Sequence, residues 1–136
     1  LFETRRIIEI SMKGRAALNA TDPQRAQIDE LAAEFSPGLD LRAFRDLDHR
    51  FHAAIASACG NPLLAELYGR VLRALFESPA FASILYTSAN RREVDEIITR
   101  SAESHDQIAA AVSSGDQQQA AFLAGEHLAE NRLGER

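Results

Sequence analysis

Residues 40–61 read DLRAFRDLDHRFHAAIASACGN. Within them Leu41, Phe44, Phe51 and Ile55 recur at steps of three and four, which marks the inward stripe of an amphipathic helix. Asp48 and His52 fall on the same stripe, so a carboxylate and an imidazole stand where apolar side chains belong. An unpaired buried carboxylate is costly, and this placement demands a cation, a hydrogen-bond network or a metal ion. A spacing of four stacks the two side chains so that both can reach one ion. Taken alone, the pair fits a simple buried Asp–His hydrogen bond equally well.

Helical periodicity continues to both sides of this stretch, with turn signals at regular intervals and no alternating strand pattern. The expected fold is all-α, an antiparallel bundle of six to seven helices joined by short loops. A first helix covers about residues 2 to 19, with Phe2, Ile7 or Ile8, Met12 and Leu18 as its apolar stripe. A second follows a cap at Thr21 or Asp22 and carries Ile28, Leu31, Ala32 and Phe35, until Ser36-Pro37-Gly38 breaks the chain. The helix opened above runs from about Asp40 to Ala58. After Gly60-Asn61-Pro62 comes a fourth, from about Pro62 to Phe76, whose Leu63, Leu64, Leu67, Val71, Leu72 and Leu75 predict a central position. A short segment from Ser78-Pro79 to near Ser88 precedes a long helix from about Arg91 to Ser113. Ser114-Gly115-Asp116 stops that helix, and a last one runs from about Asp116 to Arg132.

Two further histidines sit on apolar stripes. Ile98, Ala102, Ile108, Ala109 and Val112 surround His105, while Ala120, Leu123 and Ala124 lead to His127. One histidine on an apolar face is ordinarily a satisfied core residue, but three of them with an aspartate, on inward faces of different helices, are harder to explain separately. Imidazole nitrogen and carboxylate oxygen together suit Zn²⁺, Ni²⁺, Co²⁺, Fe²⁺ or Mn²⁺. His49 shares its face with Arg42 and Arg45 and is expected in solvent.

Composition narrows the function classes. The chain has 136 residues, 46% hydrophobic and 26% charged, which fits one globular domain. No apolar run approaches the roughly 18 residues of a membrane span. A formal charge of −5, without any Lys/Arg-dense segment beyond Arg91-Arg92, argues against nucleic-acid binding by these residues. The single cysteine, Cys59, reads as a small buried hydrophobe and fits a reducing compartment, so the expected location is cytoplasmic. Lys13 is the only lysine and reads as compositional bias. There is no Gly-rich phosphate loop, no His-Glu-x-x-His and no nucleophile elbow. A hydrolytic metal held by three histidines and an aspartate stays open as an enzymatic alternative, although no spare inward Glu or Asp stands out as its acid or base. So does a purely structural hydrogen-bond network.

With these residues in view, the sequence resembles the FCD domain, the C-terminal effector-binding domain of FadR-type regulators in the GntR transcription-factor family. LFETRRIIE is similar to the family's opening, with Glu3, Arg5 and Glu9 matching. DHRFHAAIASACGNPLL matches at Asp48, Phe51, His52, Gly60 and Asn61, and SHDQIAAAVSSGDQQQAAFLAGEHL matches at His105, Gly115, Asp116 and His127. The resemblance spans essentially the whole chain. It implies that Asp48, His52, His105 and His127 ligate one divalent metal, most readily zinc, in a central cavity where a small carboxylate effector completes the coordination. It also implies that Arg5 holds the effector's carboxylate, with Asn61 and Arg50 as weaker candidates, and that the protein is a ligand sensor rather than an enzyme. Such regulators work as homodimers and bind DNA through an N-terminal winged helix-turn-helix. The chain is expected to be the effector and dimerisation domain alone, residues 1–136, with DNA binding left to the missing domain.

Overall fold

The computed structural model describes residues 2–76 and 91–132, and all side chains of these except 2, 41, 75, 76, 91, 93, 94, 97 and 127–132. The segment expected from Ser78 to Ser88, with Phe81 and Tyr86, therefore lies outside the described residues. Among the described residues six helices form: α1 (Phe2–Asn19), α2 (Asp22–Ala33), α3 (Leu41–Ala58), α4 (Pro62–Phe76), α5 (Arg91–Ser114) and α6 (Gln117–Arg132). There is no strand among the described residues.

Local chemistry sets the helix ends. Thr21 accepts from the Gln24 amide while the Gln24 side chain accepts from the Thr21 amide, a reciprocal cap with Pro23 in the first turn. Asp40 caps α3 through the Ala43 amide, and Asp116 caps α6 through that of Gln119. Between α5 and α6 the chain reverses at Gly115, whose φ of 74° favours a residue without Cβ; the amides of Gly115 and Asp116 return to the carbonyls of Val112 and Ala111.

Consecutive signposts show how the helices run. Gly14 of α1 faces Gln117 and Ala121 of α6, while Gly125 faces Arg6 and Ile10, so these two helices are antiparallel. On α2 and α5, Arg25 meets Val112 and Phe35 meets His105, again antiparallel. The shared core includes Met12, Ala16, Ile28, Phe51, Ile55, Ile108, Val112 and Ala120. Phe35 packs edge-on against Phe44 and Phe51, with ring centroids 5.8 and 6.0 Å apart, tying the end of α2 to α3.

Two expectations from hydrophobic patterning need correction. On α1, Ile7 and Leu18 are 63% and 57% exposed, and the buried face is Arg5, Glu9, Met12, Lys13, Ala16 and Ala17. Charged residues take the inward positions because they neutralise one another. On α4, Leu63 and Leu67 are 65% and 44% exposed, and the helix packs on α1 and α3 through Tyr68 and Leu72 rather than lying at the centre.

Arg25 is a polar staple between helices at one end of the bundle. Its guanidinium donates to the carbonyls of Ala17 (2.9 Å), Ala20 (3.1 Å) and Val112, at the C-terminal ends of α1 and α5. A cation there satisfies orphan carbonyls and complements both helix dipoles. Charge-assisted bonds contribute about 1.5–3 kcal/mol each, and water recovers part of that at a half-buried site. Arg25→Met should therefore lower unfolding free energy by about 2 kcal/mol. Urea denaturation measures this, and an unchanged midpoint would refute the staple.

Candidate metal centre

Asp48 and His52 face inward one turn apart on α3, and His105 comes to meet them from α5. The Asp48 Oδ1 atom stands 3.1 Å from His52 Nε2 and 3.1 Å from His105 Nε2. All three ligand atoms lie within 4.8 Å of one another. Donors on one ion at about 2.0–2.2 Å stand about 3.0–3.5 Å apart, so the two 3.1 Å distances to Asp48 suit a shared cation as well as direct hydrogen bonds.

Aromatic walls hold the imidazoles in place. His105 lies between Phe35 and Phe51, with ring centroids at 4.2 and 4.6 Å, and His52 stands edge-on to Phe51 at 5.3 Å. His52 and His105 are buried, whereas the Asp48 side chain keeps 21% exposure.

Behind His52 lies a group that hydrophobic patterning missed. Glu9 of α1 is fully buried, with Oε1 3.3 Å from His52 Nδ1, so an inward acid does stand beside the cluster, contrary to the sequence expectation. Tyr68 of α4 donates to the same oxygen at 2.9 Å, and Lys13 donates to it at 3.4 Å. Arg5 donates to Oε2 at 3.1 Å. Lys13 is thus a buried partner of Glu9 rather than an accident of composition. The signal for this cluster was present: Arg5, Glu9, Met12 and Ala16 follow one another at steps of four, three and four.

The remaining sequence candidates fall as follows. Arg5 is 6% exposed and engaged with Glu9. The Asn61 Oδ1 accepts from the Leu64 amide and so caps α4 at the junction with α3. Arg50 is on the outer face, paired with Asp46 and Glu34. His49 is exposed, as expected. His127 belongs to α6, three residues beyond the buried Ala124 and seven beyond Ala120, but its side chain lies outside the described residues.

Electrostatics follow burial and neighbours. Burial, reinforced by the Lys13 ammonium, pushes His52 down to about 4, so the imidazole is neutral at neutral pH. Burial alone would raise the Asp48 carboxyl, but His52 and His105 outweigh it and hold the group well below the usual carboxylate range. Burial and the Glu9 charge drive the Tyr68 hydroxyl well above its ordinary value, leaving it a donor.

The described residues thus form an all-helical fold in which Asp48, His52 and His105 lie close enough together to hold a metal ion. The FCD domain profile matches residues 1–130, and the chain belongs to that family, the ligand-sensing domain of GntR-type transcription regulators. No curated protein matches the chain. Among the described residues no helix is long and apolar enough to cross a membrane.

The state of His52 predicts a pH dependence. Its folded pKa of about 4 lies below the ordinary 6.5, so its contribution is whole above 6.5 and is lost as pH falls toward 4. Chelator-treated protein should lose about 3 kcal/mol of unfolding free energy across that window. Denaturation series at stepped pH check this, and a flat profile from 6.5 to 4.5 contradicts it.

Proposed function

We propose that this domain senses a small carboxylate effector through a divalent metal ion, most readily zinc, held by Asp48, His52, His105 and His127, and thereby controls DNA binding by its parent regulator. The observation that carries the reading is the convergence of two Nε2 atoms on one Asp48 oxygen at 3.1 Å each. When bound, the ion would act as a Lewis acid for carboxylate oxygens. His127 occupies the register on α6 that continues the buried line of Ala120 and Ala124, which supports it as the fourth ligand.

Charge supports the carboxylate. Arg5 and Lys13 against Glu9 and Asp48 carry formal charges that cancel, with His52 neutral. A divalent cation adds two positive charges to a buried site, and an anionic ligand entering past the partly exposed Asp48 offsets them. Arg5 is the proposed second grip on that anion. The hydrolase alternative is weaker, because Glu9 is already engaged by Arg5, Lys13, Tyr68 and His52 and faces the far edge of the imidazole from Asp48.

In the full regulator, effector capture would favour one arrangement of the bundle, and its linkage to a winged helix-turn-helix, commonly within a homodimer, would alter operator affinity. Elemental analysis of gently purified protein should find one equivalent of a divalent metal. Asp48→Ala combined with His127→Ala should abolish its retention and remove the rise in Tm that added zinc gives the wild type. Full occupancy in the double variant would sink the proposal.

A further inference from the structure

We infer that Glu9 is the positioning residue of this centre, fixing His52 so that its Nε2 lone pair is presented to the ion, with Lys13 and Arg5 keeping the buried carboxylate charged. The inference rests on the metal reading of the cluster given above.

The geometry is that of two carboxylates on opposite edges of one ring. Glu9 Oε1 stands 3.3 Å from His52 Nδ1, and Asp48 Oδ1 stands 3.1 Å from His52 Nε2. An ionised carboxylate only accepts hydrogen bonds, and a neutral imidazole has one N–H to give. With that proton on Nδ1 toward Glu9, Nε2 carries a lone pair that meets an anionic oxygen. In that tautomer Nε2 presents its lone pair to an ion shared with Asp48, whereas in the other tautomer it donates to Asp48 Oδ1 directly, and His105 Nε2 on the same oxygen supplies the next donor atom.

Glu9 suits this role and not that of a ligand. Its Oε1 already receives Tyr68 at 2.9 Å and Lys13 at 3.4 Å, and its Oε2 receives Arg5 at 3.1 Å. Two cations at i−4 and i+4 on the same helix keep the carboxylate ionised where burial alone would favour its neutral form. Tyr68 fixes its direction from α4. A carboxylate behind a metal-bound imidazole raises its basicity and holds its plane, and losing such a partner typically weakens metal binding ten- to a hundred-fold.

Glu9→Gln alone would strand two buried cations and endanger folding. The decisive variant is therefore Glu9→Gln with Lys13→Met, which removes one charge of each sign. Loss of the ammonium relieves repulsion of a divalent ion, so any weakening reports on Glu9. Zinc affinity is measured by chelator competition in wild type and variant, with metal-free stability followed by urea denaturation. In the zinc-loaded proteins, the His52 Nδ1–H proton is followed by NMR. The expected result is zinc binding ten- to a hundred-fold weaker in the variant at near wild-type metal-free stability. The Nδ1–H resonance should move from a downfield, exchange-protected position to a faster-exchanging one. Equal zinc affinity, or an unmoved resonance, overturns the role of Glu9 while leaving the metal centre standing. Failure of the wild type to bind zinc, nickel or cobalt overturns the centre itself, and Glu9's role with it.

Discussion

The fold turns on a single buried carboxylate. Glu9 is fully buried on α1, and its two oxygens gather Arg5 and Lys13 from its own helix, His52 from α3 and Tyr68 from α4. An isolated carboxylate in that position would carry a desolvation penalty of several kcal/mol. With four partners it instead becomes the joint of three helices. It also explains why α1 turns charged residues inward and leaves Ile7 and Leu18 in solvent. Through His52 the network reaches Asp48, and through Asp48 it reaches His105 on α5, so four helices share one continuous polar path.

Such a path is compatible with a stable core because it is enclosed. Phe35 and Phe51 flank His105, and Met12 and Ile55 are fully buried in the same core. In this low-dielectric setting each hydrogen bond strengthens, and so does the penalty for leaving any member unmatched. The consequence is orientation. His105, packed against Phe35 and Phe51, and His52, edge-on to Phe51 with its Nδ1 3.3 Å from Glu9, have little freedom to turn away from Asp48. A network of this kind fixes the placement of a few atoms at some cost in stability, which suits the proposed ligand set.

Much of this was legible in the sequence, and the limits have physical causes. The six helices follow from periodicity, caps and the Gly-Asn-Pro and Ser-Gly-Asp breaks, because those signals are local. Asp48, His52 and His105 stood out because a polar side chain on an otherwise apolar stripe violates the pattern. Glu9 and Lys13 did not stand out, because several charges in phase on α1 make its inward face resemble a solvated one. Hydrophobicity cannot distinguish charges facing water from charges facing each other. Leu63 and Leu67 misled in the opposite sense: α4 is apolar on a wider arc than α1 and α3 cover, so composition overstated its burial.

The same carboxylate also joins the two halves of the proposed sensor. Arg5, the proposed grip on the effector, holds Oε2 of Glu9, while His52 holds Oε1. On that proposal, an anion that drew the guanidinium toward itself would take a cation from Glu9, leaving more negative charge to act on a His52 Nδ1–H. That would make the imidazole a better donor at Nε2, where the ion would sit. Lys13 stands on Oε1 and would spare Glu9 the cost of being buried without a counter-charge if Arg5 were engaged elsewhere. Linkage makes the effect reciprocal, since whatever strengthens metal binding through Arg5 must strengthen anion binding through the metal by the same factor. Effector and ion would thus act as one signal because a single side chain stands between them.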